Sequence, residues 1–174
     1  MEIYPHAVKR RTVKEYATKY GPKVFIESGT YYGEMIDFVL RKNLFEEIWS
    51  IELSKSLWEK ALKKYKDHDH VRVLIGNSGE FIPSLIQSIK RPILFWLDGH
   101  WSGGKSAKGD KDTPIREELI AIVSHHVDNH VILIDDARFF VGENGYPTID
   151  EVKKIVGSKY KNIVVKDDII RITN

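Results

Sequence analysis

The stretch Val24-Phe25-Ile26-Glu27-Ser28-Gly29-Thr30-Tyr31-Tyr32-Gly33 decides the fold. An apolar run that ends in an acid and two glycines describes a buried strand turning sharply into a helix, and Glu34 to Lys42 supplies that helix. In α/β proteins such a turn sits at the carboxyl end of a strand, where nucleotide-like ligands bind. Gly29 and Gly33 are expected to let the backbone pass close to a ligand, with the first amides of the helix at its edge. The segment falls short of the G-x-G-x-x-G dinucleotide pattern because Thr30-Tyr31-Tyr32 fills the turn, so cradling a phosphate is not its evident purpose. Taken alone, it also reads as a tight turn with no ligand.

Outward from this segment, apolar runs alternate with amphipathic stretches along all 174 residues, without an internal repeat or linker. This is the rhythm of one α/β domain spanning residues 1–174. The expected order begins with helix His6–Tyr20, strand Lys23–Glu27, helix Glu34–Lys42, strand Glu47–Glu52 and helix Lys55–Tyr65. Strand Val71–Ile75, helix Phe81–Ile89 and strand Ile93–Asp98 follow, then a polar loop Gly99–Thr113. Thr113 reads as the N-cap, and Pro114 as the first turn, of a helix to Ser124. Strand Val131–Asp135, helix Thr148–Val156 and a hairpin of Asn162–Val165 with Ile169–Thr173 complete the chain. Five strands joined by helices require a doubly wound, Rossmann-like sheet, mainly parallel, with an antiparallel C-terminal hairpin strand.

The 27 basic and 25 acidic residues leave a net charge of +2, too even a balance for a nucleic-acid binder. No Asn/Asp-Pro-Pro-aromatic motif of amino methylation occurs. The absence of cysteine removes disulfides, thiolate metal sites and cysteine nucleophiles, and suits a reducing compartment. No basic leader precedes an apolar core, and no apolar run approaches the roughly 18 residues of a membrane span. The expectation is a cytoplasmic protein with no membrane partner; the sequence carries no signal for oligomeric state.

Ligands of a doubly wound sheet lie at the carboxyl ends of its strands, so those ends are the candidate functional positions. They are Glu27, Glu52, Gly76-Asn77-Ser78, Asp98-Gly99-His100 and Asp135-Asp136. An acid at such a place can cap the next helix, but four carboxylate-bearing strand ends on one rim are costly without partners. Glu52 stands where a carboxylate accepts hydrogen bonds from both hydroxyls of a ribose. Asp98, Asp135 and Asp136 offer hard oxygens for Mg²⁺, Mn²⁺ or Ca²⁺. His100, two residues past Asp98, is placed for general-base work. The other histidines, including His125 and His130, read as surface residues of charged helix ends and loops. Trp49, Trp58 and Trp96 read as core, Phe139 and Phe140 as flanking the acidic site. Tyr31 and Tyr32 read as a cover over the ligand, with one of the pair pointing inward.

These motifs, in this order, resemble the class I S-adenosylmethionine-dependent O-methyltransferases, and in particular the metal-dependent branch that acts on catechols and antibiotic sugars. Glu27-Ser28-Gly29-Thr30-Tyr31-Tyr32-Gly33 is similar to the family's first motif, and Glu52 falls at its ribose-binding acid. Gly76-Asn77-Ser78-Gly79-Glu80-Phe81-Ile82-Pro83 resembles the segment lining the adenine, although Gly79 replaces a polar residue common there. Leu97-Asp98-Gly99-His100-Trp101 and Ile134-Asp135-Asp136 resemble the two metal-binding strand ends. The resemblance covers residues 23–140. It implies S-adenosylmethionine as cofactor, contacted by Glu27, Gly29, Thr30, Tyr31, Gly33, Glu52, Asn77, Ser78 and Asp98. It further implies a divalent metal, Mg²⁺ first among the candidates, on Asp98, Asp135 and Asp136. The acceptor is then a hydroxyl of a small molecule or sugar, deprotonated by His100 or Lys105 and methylated in line. The lysine-rich loop, with Lys105, Lys108, Lys111 and Arg116, suits an anionic acceptor or simply a solvated surface.

Two other readings remain open on the sequence. Gly99-His100-Trp101-Ser102-Gly103-Gly104-Lys105-Ser106 matches the phosphate-loop pattern G-x-x-x-x-G-K-[ST] of nucleotide hydrolases, but no helix signal follows the Lys-Ser pair directly. A non-catalytic adenosine-cofactor-binding domain would keep the same fold without turnover.

Overall fold

The computed structural model describes residues 6–99 and 113–174. Helix α1 (His6–Tyr20) leads into β1 (Val24–Ser28), α2 (Glu34–Arg41), β2 (Glu47–Glu52), α3 (Lys55–Tyr65) and β3 (Val71–Ile75). After these come α4 (Ser78–Ile86), β4 (Ile93–Leu97), α5 (Ile115–Ser124), β5 (Val131–Ile134), α6 (Ile149–Val156), β6 (Asn162–Lys166) and β7 (Ile169–Thr173). The strands form one sheet in the order β3-β2-β1-β4-β5-β7-β6. The first five are parallel, while β7 runs antiparallel to both β5 and β6.

Every residue of β1, β4 and β5 is buried, because helices cover both faces of the sheet and leave the central strands no solvent side. Val24, Ile26, Phe95 and Ile132 pack into the layer under α4, α5 and α6; Phe25, Leu94, Trp96 and Leu133 pack into the layer under α1, α2 and α3. Fully burying one such side chain contributes about 1.5–3 kcal/mol before ordering entropy is charged against it. Trp96 is core as expected, whereas Trp49 and Trp58 are only partly buried at the edges of the two layers. The C-terminal hairpin turns through Asp167 and Asp168 with φ of 54° and 61°, the left-handed pair that matches strand twist in a two-residue turn. Its second strand, β7, docks on β5 and leaves β6 as the exposed edge.

Two helix starts differ from expectation. Helix α4 begins at Ser78, three residues ahead of the sequence-based start at Phe81, because Asn77 caps it by accepting from Gly79 N at 3.0 Å. Pro83 therefore lies inside the helix. Pro114 takes the N-cap position of α5, though the Thr113 hydroxyl still accepts from Ile115 N at 3.3 Å. By contrast, Thr148 and Glu151 form the reciprocal capping box at the head of α6.

His125 and His130 correct the surface assignment made from sequence, since both are buried at the end of the sheet away from the strand carboxyl termini. Ile93 N donates to His130 Nδ1 at 3.0 Å, so the proton of a neutral His130 must be on Nε2, 2.8 Å from His125 Nδ1. Burial, reinforced by His125 and Lys159, pushes His130 down to about 3. Between that value and the ordinary imidazole value near 6.5, the unfolded chain takes up a proton that the folded protein refuses. Stability contributed by His130 is thus complete above about pH 6.5 and is lost as pH falls toward 3. Thermal melts from pH 7.5 to 4 are expected to show a shallower acid decline for His130→Gln, which can still accept from Ile93 N, than for the wild type. Equal slopes would remove His130 from the acid response.

Candidate active site at the carboxyl ends of the strands

Side-chain alternation with period two sets the site. Glu27 follows Phe25 on its face of β1, Glu52 follows Ile48 on β2, Asp98 continues the Leu94–Trp96 face of β4, and Asp135 continues the Val131–Leu133 face of β5. All four carboxylates therefore project toward the layer of α1, α2 and α3. Between β1 and β4 the strand order reverses direction, which opens the crevice where doubly wound sheets bind ligands. A cleft open to solvent lies there, lined by Glu27, Gly29, Tyr31, Lys9, Arg10 and Asp98 among others.

The turn after β1 is held from beneath. Glu52 Oε2 accepts from Tyr31 N and Oε1 from Ser54 N, each at 2.8 Å, so one carboxylate joins the turns that follow β1 and β2. Glu27 Oε2 accepts from the Ser50 hydroxyl at 2.7 Å, and Ser50 in turn lies 2.6 Å from the Thr30 hydroxyl. Burial raises Glu27 well above the usual carboxylate range, against the Ser50 hydrogen bond and with the support of nearby Asp98 and Glu52. Burial thus favours its protonated form unless a positive charge comes near.

Gly29 and Gly33 are also required by the packing of the chain itself. At Gly29 (φ +85°) a Cβ would lie 2.6 Å from the Asp98 carbonyl oxygen, and at Gly33 (φ +76°) it would lie 2.1 Å from the Tyr65 hydroxyl. Each one permits a close approach within the protein. Tyr65 also explains why neither tyrosine of the turn points inward: its hydroxyl donates to Gly33 O at 2.8 Å and so fills the space below. Tyr31 and Tyr32 are instead 50% and 43% exposed and meet edge to face.

Asp98, Asp135 and Asp136 converge, with one carboxylate oxygen of each within 4.8 Å of the others. Lys9 of α1 forms an ion pair with Asp135 Oδ2, and its Nζ is 3.8 Å from Asp136 Oδ1. Arg138 holds Asp136 from the other side at 2.7 Å and pairs with Asp168 of the hairpin turn. Burial, followed by the charges of Asp98 and Asp136, pushes Asp135 above the usual carboxylate range, while Lys9 draws it down. Burial would lower Lys9 itself, but Asp135, Asp98 and Asp136 outweigh it and hold the ammonium above the ordinary lysine value.

On the other face, Ser28 and Ser78 point toward α5, where Glu118 is buried. Burial lifts Glu118 to about 7 despite the neighbouring Ser78 and Ser28 hydroxyls, and its Oε1 has no hydrogen-bond partner among the described residues. Of the residues selected from sequence, Glu27, Thr30, Glu52, Ser78, Asp135 and Asp136 are buried at this rim, with Asp98 in the cleft wall. Asn77 is engaged as the cap of α4. Phe140 is buried and Phe139 is partly exposed, next to Arg138. His100, Trp101 and Lys105, with all of the phosphate-loop pattern except Gly99, fall outside the described residues. Sequence reasoning missed Lys9, Arg138 and Glu118. Lys9 had a usable signal, because Lys9, Val13 and Ala17 are four residues apart and form one helical stripe whose last two members are core.

The same fold recurs in solved methyltransferases. The O-methyltransferase TomG from Streptomyces achromogenes, involved in tomaymycin synthesis and bound to SAM, superposes with a TM-score of 0.66 at 15% identity over 95% of this chain and 78% of its own. An O-methyltransferase from Bacillus cereus bound to SAH gives 0.68 at 13% identity over 99% and 83%. The N-methyltransferase NodS from Bradyrhizobium japonicum gives 0.63 at 11% identity over 97% and 96%. No family model and no curated protein matches the sequence. The chain thus has the Rossmann-like methyltransferase fold, and the fold alone hosts both oxygen and nitrogen acceptors.

Two stability outcomes follow. Gly29→Ala is expected to lose at least about 1 kcal/mol in denaturant titration, from the left-handed backbone and the Asp98 contact together. For Glu118 the folded protein retains a proton between the ordinary carboxyl value and about pH 7, so stability falls as pH rises through that window. Glu118→Gln is expected to gain melting temperature relative to wild type at pH 8 compared with pH 4.5; a constant difference would contradict this.

Proposed function

We propose that this chain is an S-adenosylmethionine-dependent O-methyltransferase, assisted by a divalent metal, that acts on a hydroxyl of a small molecule or sugar. The observation that carries the reading is the alignment of Glu27, Glu52, Asp98 and Asp135 on one face of the sheet beside the cleft at its reversal point. The cleft wall joins acids, Glu27 and Asp98, to bases of α1, His6, Lys9 and Arg10. That division of charge suits a zwitterionic methionine end, with its amine toward Glu27 and its carboxylate toward Arg10. Glu52 retains a lone pair on each oxygen for ribose hydroxyls after serving Tyr31 and Ser54. Gly29, Thr30, Tyr31 and Gly33 shape the turn beside the methionine end, and Asn77, Ser78 and Asp98 border the adenosine.

The hard-oxygen donor set of Asp98, Asp135 and Asp136, including a buried Asp135 oxygen that meets the Lys9 ammonium, fits a Mg²⁺-like ion. Bound S-adenosylmethionine supplies an electrophilic methyl group, and a divalent ion at the aspartates supplies Lewis acidity toward the acceptor hydroxyl. The chain's residues then orient both reactants, exclude water from the rim and accept the hydroxyl proton, a role assigned to His100, with Lys105 as the second base. No described helix is long and apolar enough to cross a membrane.

Calorimetric titration with S-adenosylmethionine, S-adenosylhomocysteine and ATP, each with and without Mg²⁺, tests the reading. The two sulfur compounds are expected to bind and ATP is not. Glu52→Gln is expected to weaken them about tenfold, the scale of one charge-assisted hydrogen bond. Asp135→Asn is expected to spare cofactor affinity and abolish divalent-stimulated methylation in a screen of hydroxylated acceptors. Mg²⁺-dependent ATP binding without binding of either sulfur compound would overturn the proposal.

A further inference from the structure

We propose that Lys9 is the resident cation of the Asp98–Asp135–Asp136 cluster, so that a divalent ion enters only by displacing the Lys9 ammonium. The inference rests on the metal reading above and deepens it, because it names what the ion must compete with. Asp135 Oδ2 is buried, and the ammonium of Lys9 is set against it as its partner among the described residues. The same ammonium is 3.8 Å from Asp136 Oδ1, and the three candidate ligand oxygens lie within 4.8 Å of one another. A divalent ion bridging those oxygens would stand within a few ångströms of a like charge in a poorly hydrated place, where repulsion is strong. Asp135 Oδ1 already accepts from Asp136 N at 2.9 Å, so Oδ2 is the oxygen for which the two cations compete. Occupancy is therefore exclusive.

Lys9 is well built for exchange. Its Cα is fixed by the Val13 and Ala17 stripe of α1, whereas its side chain is 19% exposed and lines the open cleft beside Glu27 and Asp98. On leaving Asp135 the ammonium can swing toward Glu27 without entering apolar surroundings. The protein without metal keeps its buried aspartates neutralised, and metal affinity is set by a competing side chain as well as by the ligands.

Mn²⁺ titration followed by electron paramagnetic resonance, on the full chain with and without S-adenosylhomocysteine, reads this out. Lys9→Met is expected to bind Mn²⁺ at least tenfold more tightly than wild type, Lys9→Arg to remain weak, and Lys9→Met with Asp135→Asn to lose the gain. Equal or weaker binding by Lys9→Met, or a gain that survives Asp135→Asn, overturns the proposal. Should Lys9→Met fold poorly, the wild type suffices: saturating Mn²⁺ is expected to raise acetylation of Lys9 several-fold, measured by peptide mass spectrometry. Unchanged acetylation with Mn²⁺ bound overturns the exchange. Absence of Mn²⁺ binding in every form overturns both the exchange and the metal reading, whereas absence of S-adenosylhomocysteine binding alone strikes the methyltransferase reading and leaves the exchange standing.

Discussion

Carboxylates gathered at the buried ends of parallel strands repel one another and are poorly solvated, so the sheet can keep them only if positive charge or hydrogen-bond donors reach the same rim. Around this constraint the polar structure is arranged. Lys9 descends from α1 to Asp135, Arg138 ties Asp136 to Asp168 of the hairpin, and the turn amides of Tyr31 and Ser54 take up Glu52. Glu27 has one neutral hydroxyl, that of Ser50, against it, and burial favours its protonated form. It sits in the cleft wall, where a ligand would meet it.

The two faces of the sheet divide the work. Toward α1, α2 and α3 the strand ends present acids to the cleft, and toward α4, α5 and α6 they present Ser28 and Ser78 to a buried Glu118. Backbone contact couples the faces, since Gly29 packs on the Asp98 carbonyl and Asp98 N donates to Ser28 O at 3.1 Å. A shift in the turn after β1 therefore moves the end of β4 with it. The far end of the sheet is sealed by the His125–His130 pair, which satisfies Ile93 N as β4 begins.

Much of this was legible because it is local. Fully apolar runs in β1, β4 and β5 mark strands covered on both faces, and period-two alternation carries Glu27, Asp98 and Asp135 to one side. The Asp167-Asp168 pair marks the hairpin turn. Helix α4 starts three residues ahead of its expected start because the Asn77 side chain caps it, ahead of the apolar residues that mark the helix in the sequence. The glycines were legible as necessary, but their neighbours within the protein were not, since the Asp98 carbonyl and the Tyr65 hydroxyl are distant in sequence.

By itself, the sequence determined the doubly wound sheet, the ends of its strands and the acids that occupy them, because strand period, helix period and turn chemistry act over a few residues. Only the tertiary structure decided what faces those acids. The docking of α1 sets Lys9 against Asp135, the hairpin brings Asp168 to Arg138, and burial turns His130 and Glu118 from ordinary titrating groups into ones held neutral near their limits. Charge pairing and desolvation depend on distances through space, and those distances exist only once the elements have packed.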